Sequence, residues 1–184
     1  MFKKIFYVSA LILFSTVCGQ EVKKETETVK TKMDVFASKT GSITKFIDTK
    51  LPYLKTSFAS AETRIRKISN GATSAYFYQI SKEGKYNTTT ASIEYSDLIE
   101  VLKALKALQS EVNNDTLINP DYLENKFVTV DGFQVGYYIS KGNINWYVRL
   151  EKYGSDATLF IDKYETIETA FSEAKNKIDS LKSK

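Results

Sequence analysis

The chain has 184 residues, 42% of them hydrophobic and 26% charged, with 26 Lys and Arg against 22 Asp and Glu and a formal net charge of +4. That length suits a single domain whose core can hold without cross-links. One cysteine, Cys18, and no histidine exclude Ser-His-Asp and Cys-His catalysis, a disulfide within the chain, and ordinary zinc or copper centres.

The first segment is a basic start, Met1-Phe2-Lys3-Lys4, followed by an uncharged apolar stretch from Ile5 to Val17. A membrane-spanning helix needs about 20 apolar residues, so the stretch is too short to span. Basic start, short apolar run and small residues after it predict a secretory signal peptide over residues 1–19. Val17-Cys18-Gly19 suits cleavage that leaves Gln20 first. The alternative is a lipoprotein signal with the lipid on Cys18, although Ser15-Thr16-Val17 makes a poor site for it. Only that alternative attaches the protein to a membrane. Lys3 and Lys4 leave with the leader, so the remainder is nearer neutrality than the whole chain. No concentrated basic face marks a nucleic-acid binder. The product is expected in the periplasm or the medium.

Residues 20–39, rich in Lys, Glu and Thr, read as a polar linker, a solvated tether or a weak helix. Residues 40–184 read as one α+β domain, with halves at 40–113 and 120–184. In the first half, a turn at Gly41-Ser42 leads to "ITKFID" and "LPYLKTSF", whose proline suggests an edge or a loop. "AETRIRKIS" reaches the Asn70-Gly71 hairpin signal, followed by "ATSAYFYQI", a turn at Glu83-Gly84, and "NTTTASIEY". Ser96 is placed as the cap of a helix with the apolar stripe Leu98, Val101, Leu102, Leu105, Leu108 and Val112, ending at Asn113-Asn114-Asp115. "NPDYLENK" reads as a turn-rich connection. The second half runs "NKFVTV", Asp131-Gly132, "FQVGYYIS", a turn at Lys141-Gly142-Asn143, "INWYVRLEKY", a turn at Gly154-Ser155-Asp156 and "ATLFI". Asp162 and Glu165 have capping-box spacing for a last helix striped by Ile167, Ala170, Phe171, Ala174, Ile178 and Leu181. The fold class is therefore α+β: antiparallel sheet with two amphipathic helices on one face. Both halves place strands before a helix. A duplicated unit accounts for this, and so does the general likeness of strand-to-helix junctions.

Chemistry for catalysis is scarce. The glycines fit turns and strands and form no phosphate-binding loop. Asp121 and Glu124, three apart, read as a solvated turn, and there is no calcium-binding loop. No catalytic residue, metal site or cofactor is expected, and the chain reads as non-enzymatic. The positive feature is aromatic content. Strand alternation places Phe133, Val135, Tyr137 and Ile139 in the core, with Trp146, Val148 and Leu150 beside them. Tyr138, Tyr147 and Arg149 then lie on the face away from the helices. "AYFYQ" similarly sets Phe77 against Tyr76 and Tyr78, which are assigned to the open face by analogy. Such a face could bind a protein or glycan partner, while cross-strand tyrosines stabilising a half-exposed sheet explain the same residues. Arg64, Arg66 and Lys67 form a basic cluster on a strand, read as a solvated edge or as a site for anionic lipid or glycan. A further alternative is a carrier, with a cavity for a small lipophilic ligand near Trp146 and Phe171.

The Lys-rich leader ending near Gln20, "ASIEYSDLIEVLKALK" and "GFQVGYYISKGNINWYVRLEKYG" resemble uncharacterised exported proteins of Bacteroidota-type bacteria over most of the chain beyond the leader. The resemblance implies export. It implies no activity.

Overall fold

The computed structural model describes residues 30–57, 59–118, 121–152 and 157–183. Cys18, residues 1–19 expected to form a leader, and the turn expected at Gly154-Ser155-Asp156 lie outside them. Helix α1 (Lys32–Ala37) leads into strands β1 (Thr44–Lys55), β2 (Ser60–Asn70), β3 (Thr73–Glu83) and β4 (Thr88–Glu94), then helix α2 (Tyr95–Leu117). The second half runs β5 (Tyr122–Val128), β6 (Gln134–Ser140), β7 (Asn143–Arg149), β8 (Thr158–Ile161) and α3 (Tyr164–Lys182). The fold is α+β, with every strand pair antiparallel. The strands form two four-stranded sheets, each in sequence order, and each is followed by its helix.

Turn chemistry sets the central hairpins. Gly71 has φ +60 between β2 and β3, and Lys141 and Gly142 have φ 51 and 77 between β6 and β7. Two successive positive angles match the right-handed twist of the flanking strands, as in a type I′ turn. The β5–β6 connection is longer than the Asp131-Gly132 signal suggests. Thr129 N–H donates to Phe133 O at 2.9 Å, and Thr129 Oγ1 accepts from Phe133 N–H at 3.1 Å.

Helices α2 and α3 touch each other and together cover one side of both sheets, α2 against β3–β6 and α3 against β1, β2 and β8. The stripes read from the sequence supply the buried residues Leu98, Val101, Leu105, Leu108 and Val112 on α2, and Ile167, Phe171, Ala174 and Ile178 on α3. Phe171 joins the halves. Its ring lies 5.2 Å from Tyr78, edge-on, and 5.7 Å from Phe133. Burying one such ring contributes about 1.5–3 kcal/mol.

Several boundaries differ from expectation, each for a tertiary reason. β4 runs without a break into α2, so Glu94 is the N-cap and makes no side-chain cap; Ser96 lies inside the helix and donates its hydroxyl to Glu94. α2 passes through Asn113-Asn114-Asp115, where Tyr137 Oη donates to the Asp115 carboxylate at 2.5 Å. Asp162 does not cap α3; it accepts from Ser57 N–H at 3.1 Å and Ser57 Oγ at 2.5 Å in the β1–β2 loop, and Lys163 holds the cap position. Most of "NPDYLENK" is the edge strand β5, polar because one side of it faces water.

Part of the segment read as a polar linker is α1, a helix closed by a capping box between Thr31 and Asp34. It lies on the side of the first sheet away from α2 and α3. Gln79 Nε2 donates to Met33 Sδ at 3.5 Å, Lys32 Nζ donates to Asp97 at 2.7 Å, and Lys32 N–H donates to the Asp131 carboxylate at 3.0 Å. Under and beside α1, Phe77, Ile68 and Gln79 are buried. Burial raises the Asp131 carboxyl, helped by Asp97 and opposed by Lys32.

Candidate functional site

The side of the second sheet away from the helices is built by the β6–β7 register: Gln134 opposite Arg149, Gly136 opposite Tyr147, Tyr138 opposite Asn145. Strand alternation therefore places Tyr138, Tyr147 and Arg149 on one outward face, as the sequence indicates. β5 adds Tyr122, Glu124 and Lys126 through Tyr122↔Ser140, Glu124↔Tyr138 and Lys126↔Gly136. β8 adds Phe160, opposite Tyr147.

Two layers can be distinguished on this face. The lower is a fixed polar network. Tyr147 Oη donates to Glu124 Oε1 at 2.6 Å, Lys126 Nζ reaches Glu124 Oε2 at 3.1 Å, and the Arg149 guanidinium stands 5.7 Å over the Tyr147 ring. Gly136, paired to both Lys126 and Tyr147, leaves this crossing open. A Cβ there would lie 2.3 Å from Asn125 O and 2.7 Å from Lys126 Cβ. Tyr147 is thus only 2% exposed although it points away from the helices. Burial, reinforced by Glu124, raises its hydroxyl far above the ordinary tyrosine value. Burial works against Glu124 ionising, but the Tyr147 hydroxyl, Lys126 and Arg149 outweigh it and hold the carboxyl below its ordinary value. The pair is a fixed donor and acceptor near neutral pH, not a proton relay.

The upper layer is aromatic. The Tyr122 ring stacks on Tyr138 at 6.1 Å with an interplanar angle of 26°, and Tyr138 meets Phe160 edge-on at 6.2 Å. Tyr122 is 61% and Phe160 55% exposed. Gln134 lies towards the other end of β6, opposite Arg149; it is buried, and its Oε1 has no hydrogen-bond partner among the described residues.

The other sequence candidates are distributed differently. Tyr76 and Tyr78 are not on the open face. Tyr78 sits opposite Ile65 with its ring against Phe171, and Tyr76 Oη donates to Leu181 O at 3.3 Å. On β3 the even positions face the helices and Phe77 faces outward, which is the reverse of the assignment by analogy. The basic cluster divides by the same alternation. Arg64 and Arg66 share the outward face, where Arg66 makes two 2.7 Å bonds to Asp48 and Arg64 donates to Gln79 at 2.8 Å. Lys67 is on the opposite side, 5.5 Å over the Tyr76 ring. β2 is an inner strand between β1 and β3, so these residues do not guard an edge. Trp146 and Phe171, where a ligand cavity is the alternative, are packed: Trp146 lies 5.0 Å from the Tyr137 ring and 5.2 Å from Tyr164. That arrangement gives the carrier reading no support.

Tyr122 and Phe160 are the site residues the sequence reading omits. Phe160 was legible from alternation within Thr158-Leu159-Phe160-Ile161. Tyr122 required β5 to begin before its apolar residues. Among the described residues, no helix is long and apolar enough to cross a membrane, and no group of three or more acidic or cysteine side chains is placed to hold a metal. Comparison with family models, with curated proteins and with solved structures finds no significant match for the chain.

Proposed function

We propose that the protein is an exported, non-enzymatic recognition module of the bacterial cell envelope, which binds a protein or glycan partner on the outward face of its second sheet. The observation that carries the reading is the aromatic row in which exposed Tyr122 and Phe160 flank half-buried Tyr138. Flat rings offer contact area at low entropy cost, and the rigid network of Tyr147, Glu124 and Arg149 beneath them holds the platform still. Export rests on the leader at residues 1–19.

The test is retention of envelope material from the host on the immobilised full chain. Replacing Tyr122→Ala and Phe160→Ala together should lower retention by at least about tenfold, the scale of lost aromatic anchors. Both side chains are largely exposed, so the thermal midpoint should stay near that of the unaltered chain. Protease digestion and periodate oxidation of the retained material then separate a protein from a glycan. Equal retention by both chains contradicts the proposal.

A further inference from the structure

β1 pairs with β2 on one side only, and it is the longest strand, 12 residues. Natural proteins blunt such edges with charge, proline or bulges, because an open ladder of N–H and C=O groups recruits another strand. Here Pro52 marks the register shift between Leu51 and Leu54, which leaves the run 44–51 regular. Along it Phe46 is 50% and Ile47 42% exposed, interleaved with exposed Lys45, Asp48 and Lys50, and Ile43, just before the strand, is 91% exposed. The edge is therefore regular and mixed, with apolar and charged positions whose register decides what can pair with it.

Its sequence also says what fits it. An antiparallel copy of β1 keeps the helix side of both sheets on one side only if odd positions pair with odd and even with even. Centred on Asp48, that register opposes two carboxylates and sets Phe46 against Lys50. Centred on Phe46, it sets Lys45 against Ile47 and Ile43 against Thr49. Centred on Ile47, it pairs Ile47 with itself, Ile43 with Leu51, Lys45 with Thr49, Thr44 with Lys50 and Phe46 with Asp48. No like charges then stand opposite each other, and the two Phe46 rings become diagonal neighbours. Asp48 is already held by Arg66, whose guanidinium lies 5.8 Å from the Phe46 ring.

We propose that a second copy of the chain pairs through β1 about a two-fold axis at Ile47, joining the two first sheets into one continuous sheet. The closed symmetry uses up the β1 edge of both copies. It leaves the outward face of the second sheet free, so the inference stands independently of the proposed function.

The experiment uses the full chain carrying Cys18→Ser, so that an introduced thiol is the sole cysteine. Cross-strand partners are close enough for a disulfide after small adjustments. Under mild oxidation, Ile47→Cys should give a disulfide-linked dimer, whereas Phe46→Cys and Lys45→Cys should stay mostly unlinked. In sedimentation velocity the Cys18→Ser chain should show concentration-dependent dimer. Ile47→Lys, which sets two ammonium groups face to face at the axis, should be monomeric with its far-ultraviolet dichroism unchanged. A chain that remains monomeric at every concentration overturns the proposal, and so does linkage through position 46 or 45 in preference to 47.

Discussion

Counted outward from their turns, the two central hairpins have the same register: Phe77 on β3 corresponds to Tyr147 on β7, Ile68 on β2 to Tyr138 on β6, and Gln79 to Arg149. In the first half this outward face lies against α1, and Phe77 and Ile68 are buried. In the second half the connection 118–121 is too short to hold a helix, and the same face is finished by tyrosines and ion pairs. The helix-facing sides of the two sheets are alike in that aliphatic and aromatic residues supply most of their buried core. The difference teaches that the two outward faces had to be completed separately. One carries its own cover, and the other carries polar tips on its rings, which is what a wetted platform needs.

The largest expected effect tests whether the halves are one cooperative body. Phe171→Ala removes the ring that touches both Tyr78 and Phe133, and should cost about 3–5 kcal/mol. In urea, Trp146 fluorescence from the second half and far-ultraviolet dichroism from both should still fall together. Separate transitions would mean that the shared helix layer does not couple the sheets. Next, Gly136→Ala should cost about 1–3 kcal/mol or more by overpacking, because backbone at Asn125 cannot yield as a side chain would. Its contrast is Gly71→Ala, where a Cβ meets nothing within 4 Å and only the φ of +60 is strained, at about 1–2 kcal/mol. Urea midpoints in that order locate the tight spot on the second sheet.

A smaller effect isolates α1. Thr31→Ala removes one side of the capping box and should cost about 1 kcal/mol. Amide exchange should quicken around Phe77 and Ile68, while amides of Tyr138 and Tyr147 keep their protection. Quickening in both sheets would argue against α1 as the cover of one face. The smallest effect is acid dependence. Arg66 holds the Asp48 carboxyl below its ordinary value of 3.8, against the opposing effect of burial. A lowered carboxyl contributes stability that is present above 3.8 and is lost as pH falls through the folded value. Glu124 behaves likewise on the second sheet below its ordinary 4.5. Asp48→Asn and Glu124→Gln should each cost about 1 kcal/mol or less at neutral pH and flatten the fall of the thermal midpoint in acid. A midpoint that falls as steeply in both variants would remove these carboxylates as contributors.

What was legible in the sequence follows from the period of burial. The stripes of α2 and α3 repeat every three or four residues and survive any tertiary context, so their buried residues could be named. The outward position of Tyr138, Tyr147 and Arg149 was legible too, because "FQVGYYIS" and "INWYVRL" alternate about tight turns. Alternation alone does not say which parity faces the helices. On β3 both parities are buried in the middle of the strand, since α1 covers Phe77 and Gln79, and so the pattern there does not place Tyr76 and Tyr78 on the helix side. α1 itself is short and polar, and what holds it in place is distant in sequence, at Asp97 and Asp131. Helix ends were misplaced where a capping residue was drawn into long-range bonds instead, as Asp162 is by Ser57. The Tyr122–Tyr138–Phe160 row spans three strands, and no local pattern joins them.

The most direct test of the central claim places a photoreactive benzoylphenylalanine on one face at a time, at Tyr122 on the second sheet or at Tyr86, an exposed tyrosine in the β3–β4 turn, and irradiates the protein in its host envelope. Position 122 should give a discrete cross-linked product, lost when Phe160→Ala is added, and position 86 should give none. Equal labelling at both positions, or labelling at 122 that ignores Phe160, would contradict that claim.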